Sequence, residues 1–374
     1  MTSLKLLMLL VSLSLSGTIL FGIWTLFRRI LSRKISHRMY YYLLLIVLLR
    51  LILPISPEQS LIGKSFSIIE SSTIYTTFFG PKDRKNPAVI VGDNVVIGDN
   101  VVMGSKGKNI APYILYIWLV IGFGFLIQKI TKYQSFVKYI KADWHPVDDP
   151  LMLDTLSTLC EEKGIYRPVE LYTSALISSP LLLGIKKSYI ILPRVQLTEV
   201  QLYHILAHEL THSKNKDLFY KWFMQLIICI HWFNPAMYFI AKTLNQECEY
   251  ACDEGTTGHY TKEQQFYYGT TLIEMAKMPN KYNEKVASVT LYENTYEIKK
   301  RLDVLLATQK NPHFKRLTSV FSAMILVFSA IVLGAYTVPK KTITTDKPIE
   351  SSSTNESSVD VDSSKSKPLG RPFS

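Results

Sequence analysis

Apolar positions along the chain follow two patterns. Four runs are apolar on every side: Leu6 to Leu26, Tyr40 to Ile55, Tyr113 to Ile127 and Val320 to Tyr336. Each approaches the ~20 residues a helix needs to cross a bilayer, so four transmembrane helices are expected. The first run is not read as a cleaved leader, because it lacks a small-residue cleavage signal and leads at once into a basic loop and a second span. Arg50 interrupts the second run near its outer end, where its side chain can snorkel to the interface.

Between the third and fourth runs the pattern is that of an amphipathic, water-facing segment. Leu151 to Lys163 reads as a helix, and Val169 to Tyr172 and Tyr189 to Leu192 read as strands, with Pro193 ending the second. Ser179 to Gly184 lies between them, either as a core strand or as a sheet edge that offers backbone groups to an extended peptide. Leu197-Thr198-Glu199 opens the next helix, with Thr198 as N-cap and Gln201 completing a capping box, and that helix runs through Leu206 to His212. Leu218 to Leu244 is long enough to span a membrane, but Asn234-Pro235 breaks it near its middle. A helix, a kink and a returning helix pressed against the inner leaflet are expected there.

The loop between the second and third runs carries a tandem hexapeptide, Gly92 to Ile97 and Gly98 to Met103. Two copies are too few to bury a β-helix core, so a twisted hairpin with Asn/Gly turns is expected. From Lys340 onward Ser, Thr, Lys, Asp and Pro dominate, which marks a disordered tail. Ser364 and Lys367 match an SxxK pattern there by chance.

Composition and charge refine this picture. The chain has 374 residues, 48% hydrophobic, with a net charge of +12. Its mean hydropathy of +0.13 is high for a soluble enzyme. Arg28, Arg29, Arg33, Lys34 and Arg38 crowd the short loop after the first run, which should therefore stay in the cytoplasm. That orientation puts the N-terminus, the segment from Pro57 to about Ile110 and the tail outside, and Lys129 to Arg316 inside. The basic residues flank membrane segments instead of forming one stripe, so anionic lipid headgroups are the expected partners and direct nucleic-acid binding is not. Cys160, Cys229, Cys248 and Cys252 all fall in the inner segment, and no disulfide framework is implied.

The chemistry is concentrated at His208-Glu209-Leu210-Thr211-His212. Histidines four apart share one helix face and can grip one metal, and Glu209 beside the first is placed to move a proton, the pattern of a zinc hydrolase. A catalytic zinc needs a third protein ligand. Glu249 is chosen, because Asp253 shares its face and can orient a ligand histidine, whereas Glu247 points roughly 200° away. Cys248 and Cys252 are expected as packing residues, since two thiolates with two histidines would close the tetrahedron and leave Glu209 without a task. His204, one turn before His208, and His231, in an aromatic run, are expected outside the ligand set.

HELTH, Lys214 to Asp217, His231-Trp232-Phe233-Asn234-Pro235, Glu249 to Asp253 and Ile298 to Leu302, in this order, resemble the integral-membrane zinc peptidases of the BlaR/MecR type, which transduce β-lactam signals. The resemblance covers residues 1 to about 338. It implies a mainly α membrane protein with four transmembrane helices and a cytoplasmic α+β gluzincin-like domain. It implies Zn2+ held by His208, His212 and Glu249, Glu209 as catalytic base, and regulatory cleavage of itself or of a cytoplasmic partner such as a repressor. Self-cleavage near Lys299-Lys300-Arg301 is expected on the same ground. The sensor members continue into an external penicillin-binding domain that does not follow here, so β-lactam acylation is not expected as the input.

The expected layout is two spans and a basic loop in 1–56, an external loop in 57–111, a third span in 112–130, the peptidase domain in 131–316 with the membrane-associated pair at 218–244, a fourth span in 317–338 and the tail in 339–374. Expected partners are a peptide or protein substrate, the lipid bilayer, a cytoplasmic repressor and a second copy of the chain. The competing reading is a signalling or immunity membrane protein with a structural zinc site, binding partners through its external loop or tail.

Overall fold

The computed structural model describes residues 3–31, 34–57, 60–70, 110–277, 295–306 and 312–336, with three short strands between 89 and 102. The expected disordered tail lies outside the described residues. The chain is mainly helical: α1 (Ser3–Leu31), α2 (His37–Ile52) and α3 (Leu61–Glu70) precede β1 (Val89–Val91), β2 (Asn94–Ile97) and β3 (Asn100–Val102). Then follow α4 (Ala111–Lys141), β4 (His145–Pro146), α5 (Pro150–Lys163), β5 (Val169–Ser174), β6 (Leu181–Leu183) and β7 (Ser188–Pro193). The remainder is α6 (Glu199–Asn215), α7 (Asp217–Ile230), α8 (Ala236–Thr257), α9 (Lys262–Ala276), α10 (Thr295–Leu306) and α11 (Pro312–Leu333). The strands of the two hexapeptide copies, β2 and β3, pair antiparallel with Val95 opposite Val102, in line with the hairpin reading, and β1 just before the repeat adds Val89 opposite Val96.

Helices occupy all four apolar runs. Among them α1 and α4 are long and apolar enough to cross a membrane, while α2 has 16 residues and the apolar part of α11 is confined to Leu317–Leu333. Beside an apolar core, α1 and α4 turn large apolar residues outward, and α1 buries small polar ones. On α1, Ser12, Ser14 and Ser16 are buried and Val11, Leu15, Ile19 and Leu26 point outward; α4 turns Tyr113, Ile117, Leu119 and Phe123 outward. Small polar residues between helices and branched apolar residues outside are how helices pack in lipid.

The largest apolar core joins these helices to the helices of the site. Leu20 and Trp24 of α1 and Leu44, Leu48 and Leu51 of α2 pack with Ile227 of α7 and Met237, Ile240 and Leu244 of α8. The Asn234-Pro235 break works as expected: α7 ends, the chain turns, and α8 returns. Asn234 ties the turn to α1 through Ser14 Oγ and Thr18 Oγ1, each at 2.8 Å. The basic loop also acts on α8. Arg28 Nε lies 2.5 Å from Glu247 Oε1 and His37 Nδ1 3.1 Å from Oε2, so Arg28 pairs with a buried carboxylate of the protein, where lipid headgroups were expected.

Helix α4 runs on to Lys141, well past the span boundary expected at 130, and its last turns, Phe136 and Ile140, cover one sheet face with Leu181, Leu183 and Ile191. Helices α5 and α6 cover the other face through Leu156, Leu159, Leu206 and Leu210 against Leu171, Ile190 and Leu192. Ile190 and Ile191 face opposite ways because strand side chains alternate. The strand order is β4-β5-β7-β6, with β5 and β7 parallel, and β6 is an edge strand.

Gly122 sets how closely α4 approaches α7. A Cβ there would stand 2.8 Å from the Cys229 carbonyl oxygen, and one turn away Trp118 Nε1 donates to the Ile230 carbonyl at 3.1 Å. Gly122→Val is expected to push the helices apart and cost about 1–3 kcal/mol, read as a lower thermal midpoint of the detergent-solubilised protein. Gly124→Val is the control, because a Cβ at Gly124 meets nothing within 4 Å.

Candidate metal centre

Helix α6 carries the first three candidate residues, and its start is well defined. The Thr198 side chain accepts from Gln201 N and the Gln201 side chain from Thr198 N, the capping box the sequence implies. From that start, His208 and His212 fall on one face, each buried. Helix α8 crosses α6 and brings Glu249 to the same point. His208 Nε2 and His212 Nε2 are 3.1 Å apart, and Glu249 Oε2 is 3.5 Å from each. Bonds of about 2.0–2.1 Å to a tetrahedral zinc ion require ligand atoms ~3.3 Å apart, so the three atoms already have that spacing.

The other imidazole nitrogens show why the Nε2 atoms converge. His212 Nδ1 donates to Asp217 Oδ2 at 2.7 Å. His208 Nδ1 donates to the Tyr268 hydroxyl at 2.8 Å, and that hydroxyl donates to Asp253 Oδ1 at 2.6 Å. With Nδ1 of each ring donating, the two Nε2 atoms are left to converge on one point. Burial lowers both pKa values, but Cys252 and the acids around the rings outweigh it and raise them, which suits a cation held there.

Positive side chains hold the two acids. Arg301 of α10 grips Asp253 through Nε at 2.7 Å and Nη2 at 2.6 Å, and its Nη1 lies 3.5 Å from Glu249 Oε2. Lys221 Nζ is 3.4 Å from Glu249 Oε1, leaving Oε2 for the histidine side. Burial opposes ionisation of Glu249, yet His212 and Lys221 outweigh it and hold the carboxyl well below the usual carboxylate range. Burial likewise opposes charge on Asp253, and Arg301 overcomes it.

Each residue singled out in the sequence has a definite place here. His208, His212 and Glu249 meet. Asp253 lies 3.5 Å from His208 Nδ1 and reaches it through Tyr268, while the carboxylate that touches a candidate ligand histidine directly is Asp217. Glu209 is buried as a residue, and among the described residues its carboxylate takes no hydrogen bond or ion pair. His204 lies outside the set against Thr271 and Tyr268, and burial lowers its pKa. His231 is fully buried and bonded to the Leu51 carbonyl at 3.0 Å. Asp217, Lys221, Tyr268 and Arg301 were not found by sequence reasoning. Asp217 and Arg301 left a signal, each inside a stretch that carries the resemblance, Lys214 to Asp217 and Ile298 to Leu302.

The cysteines are buried, but they border the site instead of packing at a distance from it. His208, His212 and Cys252 form one cluster with metal-ligand spacing, and His212, Cys248 and Glu249 another. Cys248 Sγ approaches His212 on Nδ1, at 3.9 Å, the nitrogen already committed to Asp217. Burial, followed by Asp217, pushes its thiol up to about 12, whereas at Cys252 burial is overcome by His208 and His212, which lower its thiol. Cys252 Sγ donates to the His208 carbonyl at 3.3 Å.

Beside His212 a cleft of about 280 Å³ opens along Leu182, Gly184 and Ile185 at the edge strand β6. The donor set can hold a divalent metal, and one of its donors, His212, lines a cleft at the edge strand β6.

A family model described as BlaR1 peptidase M56 matches residues 6–305. Regulatory protein BlaR1 of Bacillus licheniformis is 24% identical over 326 residues, which cover 85% of this chain and 53% of that protein. The methicillin resistance mecR1 protein of Staphylococcus aureus is 23% identical over 229 residues, covering 60% of this chain and 39% of that protein. The chain thus spans about half the length of the first of these relatives and less of the second.

Proposed function

Because the chain belongs to the BlaR1 peptidase M56 family, we propose that it is a membrane-embedded zinc endopeptidase acting in regulatory proteolysis. The observation that carries this reading is the convergence of His208 Nε2, His212 Nε2 and Glu249 Oε2, with both Nδ1 atoms committed elsewhere. Zinc bound by these three would supply the Lewis acidity that a peptide hydrolase needs. Glu209, free of partners and adjacent to His208, takes a proton from attacking water and returns one to the leaving amine. The free edge of β6 holds the substrate extended, by backbone hydrogen bonds of the kind a further strand would make.

Four spans, with the site on the cytoplasmic side, are supported by the basic loop after α1 and by the outward apolar faces of α1, α4 and α11. A cytoplasmic repressor is the proposed protein substrate, and the chain itself is a second one. Lys299, Lys300 and Arg301 lie within α10, and Arg301 is buried, so cleavage at that run requires α10 to unwind. A homodimer is compatible with this arrangement.

The test is metal content together with proteolysis. Purified full-length protein is expected to carry about one zinc per chain and to cleave casein, losing both on chelation and regaining both with added zinc. His212→Ala should abolish zinc retention, and retention of a full equivalent would sink the ligand assignment.

Cys252 motivates a second reading, a closed structural site built from His208, His212 and Cys252. Cys252→Ser separates the two. The peptidase reading expects zinc content and casein cleavage to stay within about twofold of wild type, and the structural reading expects zinc to be lost.

A further inference from the structure

The cleft beside His212 carries two cations that the proposed chemistry does not use. Its walls are apolar at Leu182, Ile185 and Phe219, and Arg167 and Lys216 stand on its rim with no acidic residue in the lining. Three nearby cations have partners: Lys187 pairs with Glu170, Arg194 with Asp143, and Lys214 Nζ binds the Lys163 carbonyl at 2.7 Å. Among the described residues the side chains of Arg167 and Lys216 have no such partner.

Lys216 is also the only non-glycine residue with a positive φ, +58°, among the described residues. It sits at the joint where α6 ends and α7 begins. Glycine suits that left-handed position without strain, and a lysine there is a cost in search of a compensating use.

From the unpaired charges, the cleft at β6 and the strained Lys216, we infer that this cleft is a specificity pocket for a carboxylate on an extended peptide bound next to the metal centre. The inference rests on the peptidase reading for the ligand being a peptide. An extended chain lying along β6 directs alternate side chains to the same side, so one acidic side chain reaches between Arg167 and Lys216 while its stem lies on Leu182 and Phe219. The same two cations would also take a terminal carboxylate, and the experiment separates these sources.

Three dye-labelled eight-residue peptides of Ala and Leu are compared by fluorescence anisotropy on the full-length, zinc-loaded Glu209→Ala protein in detergent, which removes turnover. One has Glu at alternate positions and an amidated end, the second has Gln there and an amidated end, and the third has Gln and a free C-terminal carboxylate. The Glu peptide, or the free-carboxylate peptide, is expected to bind about three- to tenfold more tightly than the amidated Gln peptide, less so at high salt. Whichever wins identifies the source. Arg167→Gln with Lys216→Gly should erase the preference, and Arg167→Glu with Lys216→Glu should reverse it toward a Lys peptide.

Lys216→Gly alone should leave the thermal midpoint unchanged or higher, so lost preference cannot be attributed to misfolding. Equal binding of all three peptides, or a preference that survives both double variants, overturns the inference. Casein cleavage by wild type but not by Glu209→Ala, measured in parallel, reports on the peptidase reading separately.

Discussion

Glu209→Gln is expected to lower casein cleavage by about 10²- to 10⁴-fold, the usual contribution of a positioned acid–base group, while leaving one zinc per chain. The geometry explains the separation of the two effects. Glu209 is adjacent to His208 on α6 but outside the triangle made by the two Nε2 atoms and Glu249 Oε2, so its amide analogue removes the proton carrier and keeps the ligands. The substitution is nearly isosteric, and among the described residues the carboxylate has no partner to lose. Zinc content and cleavage measured on the same preparation check it. Cleavage within threefold of wild type would remove Glu209 from the mechanism, and loss of zinc would show that it helps hold the metal.

The second large effect is expected at Arg301. Arg301→Leu strips the bidentate partner from Asp253, whose side chain is 3% exposed, and an uncompensated buried charge costs about 3–5 kcal/mol. The damage should also reach the metal. Asp253 fixes Tyr268, and Tyr268 fixes the Nδ1 proton of His208, a chain whose disruption costs about 10- to 100-fold in metal affinity. Thermal unfolding and zinc competition with a chelator measure the two parts. The double variant Arg301→Leu with Asp253→Leu removes both charges and should recover much of the stability while zinc affinity stays low. If zinc affinity returned along with stability, Arg301 would act on folding alone and not on the orientation of His208.

Arg301 sits on α10, Lys221 on α7, and Glu247 on the opposite side of α8 from Glu249, tied to Arg28 and His37 where α1 ends and α2 begins. The helix carrying Glu249 is thus held on one face through Arg301 and Lys221 and on the other through Arg28 and His37.

The elements written most clearly in the sequence are those whose cause is local. Thr198 and Gln201 announce the start of α6 because a cap is satisfied within one turn. The four-residue spacing of His208 and His212 makes them neighbours once that helix exists. Asn234-Pro235 breaks Leu218 to Leu244 because proline restricts the residue before it. Helical angle says that Glu247 and Glu249 cannot both face the metal, the choice of Glu249 rested on Asp253 sharing its face, and Glu247 does face the other way, toward Arg28.

What surrounds the site was not legible in the same way. Tyr268 and Arg301 lie 60 and 93 residues beyond His208, on α9 and α10; Ile298 to Leu302 carries part of the resemblance, but no local pattern ties Arg301 or Tyr268 to the histidines. Asp253 was given the part of touching a histidine, but the crossing of α6 and α8 leaves room for the Tyr268 hydroxyl between them. Cys248 and Cys252 read as packing residues because periodicity shows burial without showing what is buried beside them.

By itself, then, the sequence determined the apolar helices, the capped helix and the paired histidines, since periodicity, capping and i, i+4 spacing act over a few residues, and it pointed to Glu249 as the carboxylate that meets them. Only the tertiary structure decided that Asp217 and Tyr268 orient the imidazoles, that Arg301 and Lys221 hold the acids, and that β6 opens a cationic cleft beside His212. Those arrangements depend on how helices and sheet cross in a shared core, and that crossing is set by the packing of many side chains at once, with no local pattern to record it.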